Sequence, residues 1–299
     1  MAIRVGDLQL EAAEPVGRVS PALRWPQAPG LGLRFLVRAA NAPGLRDLLR
    51  TLQRALPMPA LRSDLEDVVY VNWLVRADAL EALLPFGARV QRFGDYAVFS
   101  VLVFRHGHFG PDLLGRARSL MPSPIQCNAR AYLAAPLSGH VAFLSNSINH
   151  PVYCLGARLL SDGLPAHYPA AARLERTGGT LQVAIDPGQG SALALHVSLT
   201  ETNEEALPPA FAAIFSDGTA ALQYLVPQNA AARRLPTIEQ TCDSAIVVEV
   251  SEAAARWASV NAPLYIGAPF EALVCDAEPL AFVLPAVRFR VLSERLRDS

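Results

Sequence analysis

Polar side chains alternate with small or apolar ones along residues 126–133, and this stretch carries the clearest potential for chemistry. Gln126, Asn128, Arg130 and Tyr132 share one face of the predicted strand, because successive side chains of a β-strand point to opposite sides. Pointing outward, this face is ordinary solvated surface. Pointing into a barrel, Arg130 is a buried cation that needs a carboxylate from the protein or from a ligand. In that case we expect Arg130 to bind a substrate carboxylate, with Asn128 and Tyr132 adding hydrogen bonds.

A carboxylate lies within the apolar run 245–250, whose composition is typical of a strand. Alternation places Glu249 opposite Ile246, Val248 and Val250. Two interpretations remain open. Glu249 is either the internal partner of an arginine, and so a substrate-binding residue, or part of the polar face of an edge strand.

The 299 residues include 26 arginines and no lysine. A Schiff base requires an amine that can lose its proton, whereas a guanidinium stays protonated under ordinary conditions. The composition therefore excludes catalysis through a lysine imine, a lysine anchor for pyridoxal phosphate and a P-loop lysine. A genome rich in G and C also favours arginine over lysine, and this bias explains the composition without any role in function.

Apolar residues make up 52% of the chain and charged residues 18%, proportions typical of a globular protein with a large core. The net charge of −1 provides no basic surface that would attract nucleic acid or an anionic membrane. No run of about 18 apolar residues predicts a transmembrane helix, and the first residues lack the pattern of a signal peptide. We therefore expect a cytoplasmic protein whose partner is a small molecule.

Metal and cofactor sites have little support in the sequence. His106 and His108 share one strand face at a spacing that some metal sites use, but two histidines are insufficient and the adjacent glycines are typical of a loop. The four cysteines stand far apart, without the spacing of a zinc site. We expect reduced, mostly buried thiols, no bound metal and no cofactor.

Proline and glycine recur about every ten to fifteen residues, a rhythm that predicts short strands joined by turns. The fold class is therefore α+β and mainly β, an antiparallel barrel or sandwich. An irregular lead-in over 1–35 precedes an amphipathic helix at 43–56, whose leucine stripe suits packing on a sheet or, alternatively, partner docking. We expect one domain over 1–299, with 1–62 as an N-terminal extension. Strands are predicted at 68–75, 89–92, 96–104, 126–133, 140–145, 180–185, 191–200, 222–226, 245–250 and 281–292, and further helices at 78–84, 152–160, 207–215 and 251–262.

Four stretches of the chain occur in the order and spacing of a known bacterial family. They are Tyr70-Val-Asn-Trp-Leu-Val75, Leu80-x-x-Leu-Leu-Pro85 with Gly87, Ala97-Val-Phe-Ser-Val-Leu-Val-Phe104, and Asn128-x-Arg-x-Tyr132. On these motifs the chain resembles the YqjF-like DUF2071 proteins over residues 68–175. That family is similar in turn to the acetoacetate decarboxylase superfamily, which implies a β-barrel or double sheet around a central cavity with a few peripheral helices. Relatives of this fold are commonly multimeric, so a homo-oligomer is compatible with the resemblance.

The decarboxylases of that superfamily form their imine on the first lysine of a Gly-aromatic-Pro-Lys-Lys motif, and the resemblance places residues 158–168 at this position. Ala166 and His167 then stand where the decarboxylases have two lysines, and Leu159 replaces a glutamate. The fold carries over, but the imine chemistry does not. The resemblance implies that His167 and Tyr168 lie at the cavity, where they would act as a general acid–base pair.

Two functions of different classes follow from these features. The first is a lysine-independent lyase, isomerase or cyclase acting on an oxo-acid or polyketide-like substrate, with His167 and Tyr168 transferring protons. The second is a non-catalytic barrel that binds a small apolar acid through Arg130.

Overall fold

The chain folds into a mainly β structure in which the strands form one continuous sheet. The computed structural model describes residues 22–26, 30–55, 59–84, 88–164, 166–188, 193–205, 207–228, 230–235, 240–250, 254–274 and 277–298. Within these residues the strands are β1 Leu61–Arg76, β2 Arg92–Phe93, β3 Tyr96–Pro111, β4 Ile125–Tyr132, β5 His140–Ile148, β6 Ala171–Thr177, β7 Thr180–Asp186, β8 Leu195–Thr202, β9 Ala230–Leu235, β10 Gln240–Glu249, β11 Arg256–Ile266 and β12 Leu280–Asp298. The helices are α1 Leu31–Asn41, α2 Pro43–Ala55, α3 Ala77–Leu83, α4 Pro151–Leu160, α5 Pro209–Ala212, α6 Gly218–Leu225 and α7 Glu271–Val274, and a 3₁₀ segment covers Asp112–Leu120.

Seven of these strands close into a barrel. They follow one another in the order β1-β3-β4-β5-β9-β10-β12, and pairing between β12 and β1 completes the ring. Neighbouring barrel strands are antiparallel except β5 and β9, which run parallel. Strands β11, β8, β7 and β6 continue the sheet from β12 and cover the outside of the barrel. The predicted fold class, mainly β with an antiparallel barrel, is therefore confirmed.

Alternation along the barrel strands directs side chains into two apolar cores. On β3, Leu102 and Phe104 belong to the inner core, while Val101 and Val103 belong to the core between the barrel and the outer strands. Leu181 of β7 is fully buried in that outer core. Each large apolar side chain that is fully buried contributes roughly 1.5–3 kcal/mol to stability. Because both faces of β3 are buried, its sequence is a continuous apolar run rather than an alternating one.

The N-terminal extension forms two helices that contact α4. The predicted helix 43–56 is confirmed as α2, whereas the lead-in predicted to be irregular contains the start of α1. The most extensive contacts of α2 are with α1 and α4. The Asn41 side chain accepts a hydrogen bond from the Leu23 N–H (2.8 Å) and donates one to the Leu23 carbonyl (2.9 Å), which fixes the preceding segment. No described helix is long and apolar enough to cross a membrane.

Two predicted elements are wrong in type. Residues 222–226, predicted as a strand, lie mostly in α6. The Asp217 side chain caps this helix by accepting a hydrogen bond from the Ala220 N–H (2.8 Å). Residues 251–262 are predicted as a helix, but 256–262 is part of β11. Pairing with β8 and β12 outweighs the local helix propensity.

Candidate functional site

A cavity of about 380 Å³ lies inside the barrel. Its wall is predominantly apolar and includes Leu65 of β1, Leu102 and Phe104 of β3, Phe143 of β5 and Phe289 of β12. A water molecule occupies about 30 Å³ of liquid, so the cavity holds a ligand of about a dozen non-hydrogen atoms. The volume and the apolar lining are those of a small-molecule site.

The polar face of β4 points into this cavity. Gln126, Asn128 and Arg130 line it, whereas Cys127 and Ala129 on the opposite face belong to the outer core. All eight residues of the strand are buried. Of the two orientations that the sequence left open, the structure therefore has the inward one.

Arg130 is a buried cation, and none of the described carboxylates pairs with it. The residue is 7% exposed, and its Nη2 donates hydrogen bonds to the Leu225 carbonyl (2.8 Å) and the Tyr132 hydroxyl (3.1 Å). Its guanidinium carbon lies 5.3 Å from the ring centroid of Tyr70 and 5.2 Å from that of Tyr132, within range of cation–π attraction. Its Nε is buried without a hydrogen-bond partner among the described residues, and Tyr70 is a further hydrogen-bonding neighbour of the guanidinium. A ligand carboxylate would supply the missing negative charge.

A hydrogen-bond chain holds Gln126 in place at the cavity wall. The Gln126 amide nitrogen donates to Asn146 Oδ1 (2.9 Å), so its oxygen is left to accept from His106 Nε2 (2.7 Å). In the neutral ring, His106 Nδ1 then accepts from the Ser63 hydroxyl (2.9 Å). Burial lowers the pKa of His106 to about 4, which keeps the ring neutral near pH 7. His106 therefore positions Gln126 and does not line the cavity itself.

One carboxyl group lines the cavity within the described residues, that of Glu294 on β12. Its Oε1 accepts hydrogen bonds from the hydroxyls of Ser161 (2.5 Å) and Ser244 (3.3 Å), and its Oε2 accepts from the Asp162 N–H (3.1 Å) and the Cys242 thiol (3.9 Å). Burial raises the pKa of Glu294, and the charge of Asp162 adds to this effect, while the hydrogen bonds from Ser161, the Asp162 N–H and Ser244 oppose it. A carboxyl group with a raised pKa in a cavity can exchange protons or pair with a ligand cation.

A register shift in β12 brings Glu294 to the inner face. Val287, Phe289 and Val291 line the cavity in regular alternation. The pairing of β12 with β10 then shifts between Val291 and Ser293, so Glu294 rather than Ser293 faces the cavity.

The loop after α4 holds the Glu294 carboxyl group from the other side. Arg50 of α2 binds Asp162 in this loop through two hydrogen bonds, Nε to Oδ2 (2.7 Å) and Nη2 to Oδ1 (2.8 Å). Gly163 lies so close to Ser244 and Glu294 that a Cβ at this position would contact both side chains. The N-terminal extension is thereby linked to the wall of the cavity.

The structure does not bring His167 and Tyr168 to the described cavity lining. His167 is buried, with its ring nitrogens 3.0 and 3.4 Å from Arg158 Nη2, and its backbone pairs with β5. The Tyr168 ring stacks on Trp25, with centroids 4.3 Å apart. His167 thus contacts α4 and β5, whereas Tyr168 contacts the N-terminal extension, and their acid–base role remains a prediction.

Glu249 is also separated from Arg130. It lies on the outer face of β10, half-exposed, and accepts a hydrogen bond from Arg288 Nη1 (3.0 Å). Ile246 and Val248, on the opposite face, line the cavity as alternation implies. Of the predicted site residues, the structure therefore brings together Asn128, Arg130 and Tyr132. Tyr132 contacts Arg130 but is not part of the described cavity lining.

Comparison with protein families accounts for the central part of this architecture. The profile of DUF2071, described as an uncharacterized conserved protein, matches residues 62–215. The chain belongs to the DUF2071 family. A search of curated proteins finds no significant match.

Solved structures similar to this DUF2071 chain share its fold at low sequence identity. Acetoacetate decarboxylase from Legionella pneumophila superimposes with a TM-score of 0.57 at 10% identity, over 83% of this chain and 95% of the other. An acetoacetate decarboxylase-like enzyme from Sphingomonas wittichii RW1 gives 0.55 at 15% identity, over 81% and 94%. The enduracididine biosynthesis enzyme MppR, with the condensation product of pyruvate and imidazole 4-carboxaldehyde bound, gives 0.54 at 16% identity, over 80% and 89%. The expected acetoacetate decarboxylase-like fold is confirmed.

Sequence reasoning missed Glu294 and the α4 wall of the cavity in this DUF2071 chain. The predicted last strand ended two residues before Glu294, and no local pattern reveals the register shift that turns this side chain inward. The described residues contain no group of three side chains that would hold a metal ion. His108 is exposed and is not part of the His106 hydrogen-bond chain.

Proposed function

We propose that the protein binds a small, largely apolar carboxylic acid inside the barrel, with the carboxylate on Arg130. The observation that carries this proposal is a buried guanidinium on the wall of an apolar cavity, with no carboxylate of the described chain paired to it. Removing a cation from water is costly unless an anion or strong acceptors compensate. A carboxylate that accepts hydrogen bonds from Arg130 would provide that compensation, and the apolar wall would bury the rest of the ligand.

Asn128 supports the same placement of the ligand. Its side chain lines the cavity two residues before Arg130 on the same strand face, and its Oδ1 is buried without a hydrogen-bond partner among the described residues. A side-chain amide has both an acceptor and donors, so Asn128 suits an acid that carries a hydroxyl or oxo group next to its carboxylate.

The test is a thermal-shift and calorimetric titration with hexanoate and α-oxohexanoate. We expect wild-type protein to bind and Arg130→Met to lose at least a tenfold factor in affinity, because the only cation lining the described cavity is gone. Arg105→Met is the matched control: Arg105 lies on the neighbouring strand and donates to the Leu174 carbonyl outside the cavity (2.9 Å). Equal affinity in wild type and Arg130→Met would contradict the proposal.

A second candidate is turnover of such an acid by a lysine-independent lyase, isomerase or cyclase acting on an oxo-acid or polyketide-like substrate. The observation that favours it is the Glu294 carboxyl group, whose raised pKa and place in the cavity suit general acid–base catalysis. Two structures of MppR, which has the same fold, contain pyruvate or a condensation product of pyruvate, so this fold accommodates small oxo-acids.

Proton exchange separates the candidate catalytic residues. We propose to follow deuterium uptake by α-oxohexanoate in D₂O by NMR, with wild type, Glu294→Gln and His167→Ala. Loss of exchange only in Glu294→Gln would assign proton transfer to Glu294, and loss in His167→Ala with intact binding would assign it to the pair His167 and Tyr168. Exchange no faster than without protein would leave binding alone as the function.

A further inference from the structure

The cavity lining contains one guanidinium and one carboxyl group, and the two do not pair with each other. Arg130 lies on β4 and Glu294 on β12, and no ion pair joins them or connects either to another described side chain. We infer that the ligand is dipolar, with its carboxylate on Arg130, an ammonium group on Glu294 and an apolar chain between them. This inference rests on the proposed function, since it adds a second contact to the same bound acid.

The surroundings of Glu294 contain hydrogen-bond donors but no positively charged partner among the described residues. Hydroxyl, amide and thiol donors surround it, but no described arginine reaches it. Arg50 of the N-terminal extension is bound to Asp162, which contributes a further negative charge beside Glu294. Burial and Asp162 raise the pKa of Glu294, so a ligand cation would favour the ionised form that the empty cavity disfavours.

The cavity wall between the two charges defines the middle of the ligand. Around the barrel, β3 and β1 separate β4 from β12 on one side, and β5, β9 and β10 separate them on the other. These strands contribute Leu65, Leu102, Phe143 and Val248 to the lining. Polar atoms in the centre of a ligand would face this wall without hydrogen-bond partners, whereas methylene groups would be buried favourably. With room for about a dozen non-hydrogen atoms, the chemical class is an ω-amino acid of about five to eight carbons.

Affinity measurements with four acids of one chain length test the inference. Hexanoate, ω-hydroxyhexanoate, ω-aminohexanoate and hexanedioate differ only in the group at the far end. We expect calorimetry on wild-type protein to show at least tenfold tighter binding of ω-aminohexanoate than of hexanoate. Hexanedioate should bind at least tenfold more weakly than hexanoate, because its second carboxylate meets Glu294. The hydroxy acid should lie between the amino acid and hexanoate.

Two variants test whether Glu294 causes the preference for ω-aminohexanoate over hexanoate. Glu294→Gln should remove the advantage of ω-aminohexanoate over hexanoate, while Glu249→Gln, which changes a carboxylate on the outside of the barrel, should keep it. Hexanoate binding equal to or tighter than ω-aminohexanoate binding in wild type would overturn the inference, and this comparison holds even if the Glu294 variant does not fold. If hexanoate still binds and depends on Arg130, only the dipolar ligand is refuted; if no acid binds, the proposed function fails with it.

Discussion

Replacement of Arg130 by methionine separates a ligand-binding arginine from a structural one. In the ligand-free protein the variant loses the hydrogen bonds from Arg130 to the Leu225 carbonyl and the Tyr132 hydroxyl, each worth about 1.5–3 kcal/mol for a charged donor. It also loses the cation–π contacts with Tyr70 and Tyr132, each worth about 0.5–2 kcal/mol. The Leu225 carbonyl keeps a donor, because the Tyr132 hydroxyl also reaches it (3.2 Å). Against these losses, the variant no longer buries a cation without a carboxylate partner, a penalty of several kcal/mol. We expect these contributions to offset each other, so that the free energy of unfolding stays within about 1 kcal/mol of the wild-type value.

Urea denaturation of ligand-free protein measures this change, with Arg118→Met as the comparison. Arg118 is equally buried, but it pairs with Asp64 (3.2 Å) and donates to the carbonyls of His108 (3.1 Å) and Gly107 (3.4 Å). We expect Arg118→Met to lower the free energy of unfolding by about 2–3 kcal/mol, because it leaves these acceptors without their donor. If Arg130→Met is as destabilising as Arg118→Met, Arg130 is a structural cross-link and the reasoning that assigns it to a ligand is refuted.

Three further predictions concern His106, the thiols and Gly163. Burial lowers the pKa of His106 to about 4, so between pH 6.5 and 4 the histidine binds more protons in the unfolded than in the folded protein. The free energy of unfolding should therefore fall by up to roughly 3 kcal/mol as the pH falls from about 6.5 to 4. In urea denaturation, His106→Gln should flatten this part of the pH profile. Burial raises the pKa of the Cys127, Cys154 and Cys242 thiols, so iodoacetamide should modify them far more slowly in native than in urea-unfolded protein, as measured by peptide mass spectrometry. Gly163→Ala should destabilise the protein by about 1–3 kcal/mol because its Cβ contacts Ser244 and Glu294, and Ser244→Gly should recover part of that loss in a double-mutant cycle.

Each of these predictions has a clear contrary result. Parallel pH profiles for wild type and His106→Gln would mean that the proton uptake on acid unfolding occurs at other groups. Labelling of a native thiol at the unfolded rate would show that its element opens readily. Strictly additive effects of Gly163→Ala and Ser244→Gly would mean that the two positions do not interact.

The barrel and its polar strand could be predicted from the sequence, for two reasons. The motifs around Tyr70, Ala97 and Asn128 belong to β1, β3 and β4, which are adjacent in the barrel, so one stretch of chain contains much of the cavity wall. Alternation grouped Gln126, Asn128 and Arg130 correctly. It did not determine their direction, because β4 is buried on both faces and alternation alone cannot distinguish a cavity from a core.

Glu294, the second ionisable residue of the cavity, could not be predicted from the sequence, and the reason is again physical. Alternation continued past Val291 would direct Ser293, not Glu294, to the inner face, and only pairing with β10 reveals the shift. The resemblance alone suggested His167 and Tyr168 as cavity residues, because they stand beside the lysine positions of a related motif. In the structure His167 contacts Arg158 of α4 and Tyr168 stacks on Trp25, and neither is part of the described cavity lining.

The absence of lysine gives the cavity a property that a lysine-bearing relative would lack. A buried lysine can become neutral by losing its proton, so an empty cavity need not contain a charge. Arg130 cannot, and it stays cationic at every pH at which the protein is folded. The cavity is therefore stabilised most by an occupant that brings its own anion to Arg130. Glu294 differs, because a carboxyl group can become neutral by binding a proton, and a ligand cation would favour its ionised form. On this reasoning, ligands of the proposed site should be ranked by their charged ends before their carbon skeletons.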